Sequence, residues 1–565
     1  MKKLVTVLLI ACLGLSVCAF SACNKKINVN KTQKLEIYLY NAGYGYEWCE
    51  SILEAFKEED WVKEKYPELE TSFYKDVVGG TAPELLTSSS KKVNHYEIIM
   101  GSGLFTYLTS EYCADLSEGV YNAKVPGEDI TFKEKLLPAY VKSAAYVDSS
   151  EEQSDIYYEV NYASGMNGLA YNATVLKTLG YDVPNTTDEL VSIMKSVYDL
   201  GGSSDCYKET YSYVCSSTAS YSEYLFNIWW AQYEGSEEYA NFYRGIDSTF
   251  GERSASVFEQ EGRLKSLEVL NAFLGKDASG NTRYTWVNPN TTAQAFREAQ
   301  NKLYLGTGIF TANGDWLANE SRSFYEGLQA KGERCDEVKI MKTPIVSSII
   351  DKLDSIDTDE VLSAVVDAID NGVVFSELSN YTTDKASKTD LEKVTEEDYD
   401  AVYAARCIVY TNGPRHNAVV PKDASGKEVA MDFLRYLATD KANEIYMEKT
   451  NGASLPFKYD LREKNADLYS KISTLQQDRI SYFSDFDIDV LPDEDSFPLV
   501  RYGNLTSFYT CKPIDTLLNG KEGENYGSYS SLAEKIYTDE YLYWENKSGT
   551  PNTAWSTCLQ LAGVK

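Results

Sequence analysis

Three aspartates, Asp485, Asp487 and Asp489, alternate like the opening of a calcium loop. An EF-hand needs Gly at its sixth position and a bidentate Glu at its twelfth. Val490 and Ser496 occupy those places, so an EF-hand is rejected; the default is a solvated acidic turn, with a looser calcium site as its alternative. Gly101-Ser102-Gly103 follows an apolar run but lacks the third glycine of a dinucleotide fingerprint. No G-x-x-x-x-G-K-[ST] loop and no G-x-S-x-G elbow occurs. The two histidines, His95 and His416, leave few bases for a nucleophile relay and exclude a histidine-rich metal site. Carboxylate pairs abound among 85 acidic residues, so counting does not exclude a glycosidase, yet no segment order suggests one. The expectation is a protein that is not an enzyme and carries no cofactor or metal.

Binding chemistry has better candidates. The chain holds 45 Tyr against 20 Phe and 8 Trp, and tyrosine joins a flat apolar face to a polar tip, which suits polar ligands or an ordinary extracellular surface. Tyr44, Glu47 and Trp48 follow the first strand, with Trp48 equally suited to anchor the core. Ser102 stands at the end of the strand that closes on Met100. Asn161 and Tyr162 precede the strand at 168. Trp229-Trp230 are adjacent, so on a helix they point apart and at most one faces a ligand. Asp315-Trp316 close the loop Asn313–Trp316. Arg415 and His416 lie in the loop Thr411–Asn417, as ligand contacts or as a solvated loop tip.

The elements that carry these residues alternate between strand and helix. Leu35, Ile37 and Leu39 alternate with Glu36, Tyr38 and Tyr40, giving a strand over 34–40. A glycine-containing turn ends it, and Trp48, Ile52, Leu53 and Phe56 recur at helical spacing. Further strands are expected at Glu70–Tyr74, His95–Met100, Gly168–Asn172, Gly306–Phe310, Lys339–Met341, Cys407–Tyr410 and Ala418–Val420. Helices are expected from Ala173, from a capping box at Thr186 and Glu189, at Phe296–Leu303, through the acidic stretch 350–400, and along Val429–Leu437. Such an order predicts a parallel α/β sheet, whose ligands collect beyond the carboxyl ends of the strands. The last hundred residues carry no clear pattern.

Lys2 and Lys3 followed by the apolar Leu4–Phe20 read as a secretory signal, and Ser21-Ala22-Cys23 ends it like a lipobox. The expected product is anchored by lipid on Cys23, tethered by a polar run to 34, and placed on the outer face of a cell membrane. A formal charge of −31 repels phosphate backbones, so nucleic acid is excluded as a partner. Eight cysteines remain beyond Cys23, as disulfides or as buried thiols, with Cys206 and Cys215 the closest pair in sequence.

The lipobox, the first strand–loop–helix, Gly168–Asn172 with Pro184 and a capped helix, Gly314-Asp315-Trp316, Ala418–Pro421 and the helix holding Asp432-Phe433-Leu434 occur in an order that resembles the extracellular solute-binding lipoproteins of ABC importers, in the carbohydrate-binding group that includes maltose-binding protein. The resemblance implies an α/β fold of type II, periplasmic-binding-protein-like, with two lobes, each a mostly parallel sheet flanked by helices, and a hinge between them. The implied division is 1–22 signal peptide, 23–34 lipidated cysteine and tether, 35–155 and 325–445 lobe one, 156–324 lobe two, and 446–565 lobe two with a C-terminal extension. It further implies a monomer that closes over a carbohydrate, an oligosaccharide by expectation, and delivers it to ABC permease subunits. Asp315 and Trp316 then fall where the family places a polar neighbour and an aromatic sugar platform, although Trp316 also suits lobe packing. The alternatives are a peptide or polyamine binder, a cell-surface glycan hydrolase, and an adhesin.

Overall fold

The computed structural model describes residues 33–77, 81–144, 155–203, 209–216, 221–287, 295–505, 513–545 and 554–564. The signal, Cys23, Cys206 and Cys511 lie outside them. Two five-stranded sheets organise the chain. The first runs Glu70–Asp76, Lys34–Tyr40, Ile98–Gly101, Asn417–Val419, Val160–Asn161; the second runs Thr285–Val287, Tyr211–Cys215, Gly308–Gly314, Asn167–Asn172, Val338–Met341. The two share one plan. The first, second, third and fourth strands of each lobe run parallel, and a single antiparallel strand is inserted between the third and fourth. In each sheet that inserted strand arrives from the other lobe.

The alternation read over 34–40 is realised: Leu35, Ile37 and Leu39 are buried. Helix Glu47–Glu58 buries Trp48, Cys49, Ile52, Leu53 and Phe56, and helix Lys427–Tyr436 packs Phe433 edge-on to Phe56, ring centroids 5.5 Å apart. In lobe two the helices Thr187–Ser203, Ser222–Glu234 and Glu261–Leu274 cover the sheet and each other. Thr186 caps the first of these by accepting from the Glu189 amide at 3.3 Å, and the Glu189 carboxylate reaches back to the Asn185 amide at 2.7 Å, one residue beyond a standard box.

Three expectations are corrected. The acidic stretch belongs to lobe two rather than lobe one. Its helices Asp359–Asp370 and Glu396–Cys407 dock there through Thr186 Oγ1 donating to Asp359 at 2.7 Å, Lys385 paired with Glu189 at 2.8 Å and Asn185 donating to the Ser363 carbonyl at 3.0 Å. Since Val338–Met341 also lies in the second sheet, the return to lobe one falls near 410, not 325. Asn313 and Gly314 form strand, not loop, because they pair with Gly168 and Asn167. The third concerns the acidic turn: Asp485, Asp487 and Asp489 are exposed as expected, but Asp489–Val490 is strand, paired in parallel with Ile408–Val409, and Asp485 is ion-paired with Arg462 at 2.9 Å. Chain 440–457 stays on lobe one, helix Asp440–Lys449 packing against 47–58, before a third crossing leads to helix Thr474–Asp485 on lobe two. The helix Leu532–Glu545 packs on Glu261–Leu274, so the C-terminal extension thickens lobe two.

Among the described residues six cysteines are free, Cys49, Cys113, Cys215, Cys335, Cys407 and Cys558, all but Cys335 buried. No described helix is long and apolar enough to cross a membrane, and no described group of three or more His, Cys, Asp or Glu is placed to hold a metal ion.

Candidate ligand-binding cleft

The turn that ends the first strand, Tyr40–Tyr46, faces the start of helix Ser222–Glu234 and the residues after strand Gly308–Gly314 across a cleft of about 860 Å³. It lies at the carboxyl ends of strands from both sheets, where an open α/β architecture leaves room. Lobe one contributes Tyr40, Tyr44, Tyr46, Glu47 and Lys449. Lobe two contributes Tyr221, Tyr224, Arg297, Trp316, Asn319 and Glu320, and the second crossing adds Asn412 and His416.

Trp316 is the centre of an aromatic cluster. Tyr44, Tyr221 and Tyr224 meet it edge-on with ring centroids 6.3, 6.0 and 6.3 Å away. The Gly314-Asp315-Trp316 spacing has a steric basis. A Cβ on Gly314 would lie 2.2 Å from the indole, so only glycine lets the ring fold back over the strand that bears it. Gly43 is constrained likewise from the opposite lobe, where a Cβ would stand 2.9 Å from Trp316 Cβ and Cγ. The lobes therefore touch through backbone on one side and indole on the other. Asn319 Nδ2 adds a hydrogen bond to the Gly43 carbonyl at 2.9 Å.

Asp315 sits beneath the cleft, fully buried. Tyr44 OH donates to its Oδ1 at 2.9 Å, Gln476 Nε2 donates to its carbonyl at 2.8 Å, and Arg479 stands 3.6 Å from Oδ2. Burial raises the carboxyl's pKa, and Arg479, Tyr44 and Gln476 act against that rise. Arg479 in turn donates to Gln476 Oε1 at 2.7 Å, to the Gly452 carbonyl at 3.2 Å and to Ser454. The aspartate is thus a joint tying the first strand's turn, the third strand of lobe two and the third crossing. It does not line the cleft.

Of the residues expected to bind ligand, Tyr44, Glu47, Trp316 and His416 line the cleft and Asp315 supports it. The structure does not bring the others there. Trp229 and Trp230 are both fully buried in lobe two, their indole N–H groups donating to the Pro344 carbonyl at 3.1 Å and to Gln260 Oε1 at 2.8 Å. They point apart as helix geometry requires, but both sides of that helix are core. Ser102 lies half-buried after Gly101, outside the cleft. Asn161 and Tyr162 are buried in the first crossing, Asn161 donating to the Pro414 carbonyl at 3.0 Å and Tyr162 stacked on Trp48 at 5.7 Å. Arg415 is not a free loop tip and does not line the cleft: it pairs with Asp493 and Glu494, each at 2.8 Å, and so locks the second crossing to the C-terminal extension.

Burial raises the pKa values of the cleft tyrosines Tyr44, Tyr221 and Tyr224, and it displaces those of a carboxyl and an imidazole as well. Burial pushes Glu320 up to about 7, against the Gln300 hydrogen bond at 2.7 Å and the charge of Arg297. Burial, aided by Arg415, pushes His416 down to about 4, so its imidazole is neutral at pH 7. Tyr221, Tyr224, Glu320 and Asn412 were missed from sequence. The signal for the tyrosines was present, since they stand at i and i+3 at the head of the helix whose later tryptophans drew attention.

No protein-family model and no curated protein matches the sequence. Solved structures do match in fold. An ABC substrate-binding protein from Listeria monocytogenes in complex with cycloalternan is 11% identical, with 94% of this chain and 99% of that chain covered and a TM-score of 0.53. The GacH receptor of Streptomyces glaucescens, solved unliganded and with acarbose, is 10% identical over 91% and 97% of the two chains, TM-score 0.51. The cyclic alpha-maltosyl-1,6-maltose binding protein of Arthrobacter globiformis is 13% identical over 91% and 99%, TM-score 0.50. This chain has the two-lobe fold of the carbohydrate-binding solute receptors of ABC importers.

Proposed function

We propose that the chain is a solute receptor whose cleft captures a carbohydrate, an oligosaccharide by preference, and presents it to an ABC permease. The observation that carries this reading is the wall of Tyr44, Tyr221, Tyr224 and Trp316, interleaved with Glu47, Arg297, Asn319 and Glu320, at the boundary of two lobes. Aromatic faces suit the C–H faces of a sugar ring, and amide, carboxylate and guanidinium groups suit its hydroxyls. The solutes named for the structural neighbours, cycloalternan and acarbose among them, agree with it. In this reading the protein performs no covalent chemistry. Ligand touches both lobes only when they are shut, so binding shifts the open–closed population. The signal at 1–22 and lipid on Cys23 would hold the receptor at the outer face of the cell membrane, as a monomer.

The test is calorimetric titration of the 24–565 fragment with defined oligosaccharides, followed by product analysis. Micromolar or tighter binding of an unaltered sugar supports the reading. Cleavage would make the protein a hydrolase, and silence with sugars alongside binding of peptides or polyamines would keep the fold and remove the carbohydrate.

A further inference from the structure

Buried polar atoms without partners collect where the lobes join. On the first two crossing segments, Asn161 Oδ1, Tyr162 OH, both amide atoms of Asn167, Asn412 Oδ1, His416 Nδ1 and Asn417 Oδ1 are shut from solvent and lack a hydrogen bond. Each such group costs about 1–3 kcal/mol when left unsatisfied, and native proteins keep few of them. Their concentration on two short segments marks a place where partners are supplied by something other than the chain in this arrangement.

Two of these residues also line the cleft, Asn412 and His416. Asn412 Nδ2 donates to Tyr224 OH at 2.9 Å, and whichever way the amide is turned, its other polar atom is left over. The His416 ring stands edge-on to Tyr44 of lobe one at 5.3 Å and to Tyr162 at 5.4 Å. Tyr44 is itself tethered to Asp315 of lobe two, so parting the lobes uncovers the imidazole. Being neutral at physiological pH, that ring offers one donor and one acceptor. A sugar hydroxyl offers the same pair. A cation or a carboxylate, each able to play only one part, matches it less well.

Resting on the carbohydrate reading above, we propose that Asn412 and His416 form a hydroxyl-binding subsite on the second crossing segment, so that a bound sugar engages the hinge itself and not the two walls alone. The other orphaned groups lie at the same junction, Tyr162 on the first link and Asn161, Asn167 and Asn417 at the ends of the strands that the two links join.

His416 is one of two histidines in the chain, and the other, His95, is an exposed partner of Glu36 at 2.8 Å. Histidine-selective labelling therefore gives two ring signals. Raffinose, maltotriose and chitotriose are titrated into the wild-type 24–565 fragment while these signals and the calorimetric affinity are followed. The expected result is that the sugar that binds shifts the His416 signal and leaves His95 in place, and that Asn412→Leu and His416→Phe each weaken that sugar about tenfold. The wild-type ring signal stands on its own if a variant fails to fold. A sugar that binds with the His416 signal unmoved, or binds both folded variants as tightly as wild type, overturns the subsite and leaves the carbohydrate reading intact. Silence of all three sugars and of a wider oligosaccharide panel overturns both.

Discussion

Glu159 stands at the entrance to the first crossing, fully buried, with Asn417 of the second crossing donating to its carboxylate. Burial pushes its pKa up from 4.5 to about 8; the Arg501 charge and the Asn417 hydrogen bond pull down, and Asp493 pushes up. In the unfolded chain the group ionises near its ordinary value. Between pH 4.5 and 8 the folded protein thus holds a proton the unfolded chain has released, and raising the pH through that window removes stability. At about 1.4 kcal/mol per unit of displacement, the penalty is roughly 1 kcal/mol at pH 5 and roughly 4 kcal/mol at pH 8. Glu159→Gln keeps the shape and an acceptor for Asn417 but never ionises. The expected outcome is a variant close to wild type at pH 5 and more stable at pH 8, with the difference growing by about 3 kcal/mol between them. Thermal unfolding at four pH values from 5 to 8 reads it. Glu223 and Glu320, both pushed by burial to about 7, titrate alike in both proteins and cancel in the comparison. Parallel curves for variant and wild type across that range would refute the burial argument.

The remaining predictions concern the cleft and its supports. Trp316→Ala is expected to weaken sugar binding by about thirtyfold or more, as loss of a central aromatic anchor does, with calorimetry as the readout. Trp229→Ala, in the core, should instead cost about 3–5 kcal/mol of stability while leaving the affinity of the folded protein unchanged, seen by denaturation and titration of the same sample. Gly43→Ala places a methyl 2.9 Å from Trp316, so it should displace the indole; the check is altered tryptophan fluorescence together with weakened binding. Tyr44→Phe removes the hydroxyl that donates to Asp315 across the lobe boundary and should lower stability by about 1–3 kcal/mol, measured as a drop in unfolding midpoint.

Period and punctuation made much of the fold legible. The strands at 34–40, 167–172 and 338–341 and the helices at 47–58, 187–203 and 427–436 follow from apolar spacing and caps that lie within a few residues of one another. Tyr211–Cys215 was not legible, because Tyr-Ser-Tyr-Val-Cys sits in a polar, tyrosine-rich stretch and becomes a strand only through pairing with 285–287 and 308–310, seventy or more residues away. Asn313-Gly314 misleads for the same reason, since turn-like composition is overridden by the ladder to Asn167 and Gly168. At the site, Trp316 was expected from the order of segments that resembles the solute-binding family, and it lines the cleft. The place of Arg415 was not legible: its partners Asp493 and Glu494 lie far along the chain, and a lone arginine in a glycine-proline loop carries no trace of them.

The exchange of antiparallel strands decides how the lobes can move. Asn417–Val419 is paired on both sides within the first sheet, with Gly101 and Asn161 both opposite Asn417. Asn167–Asn172 is paired on both sides within the second, Leu169 lying opposite Ala312 and Met341. Neither can leave its sheet without breaking two ladders, so motion falls to the short links Tyr162–Met166 and Tyr410–His416, together with the third crossing. Those links are themselves fastened together. The Tyr162 amide donates to the His416 carbonyl at 3.0 Å, the Asn167 amide to the Tyr410 carbonyl at 2.9 Å, and Thr411 Oγ1 to the Ser164 carbonyl at 2.8 Å. They approach so closely that a Cβ on Gly413 would lie 2.3 Å from the Ser164 carbonyl oxygen, while Gly165 holds a φ of 65°. The two links therefore bend as one band. Rotation about that band parts Tyr44 from Asp315 and Gly43 from Asn319 while leaving both sheets whole. Each of those two hydrogen bonds is worth only about 1 kcal/mol net, or up to about 3 where a charged partner is involved, and Asn451 donating to the Ala318 carbonyl at 3.2 Å and Arg479 to the Gly452 carbonyl at 3.2 Å join them between the same lobes. Under the proposed function, a ligand bridging Trp316 and the Tyr44 turn would add contacts present only when the cleft is shut, and that difference, not the strength of its hold on either wall, would set how far it moves the equilibrium.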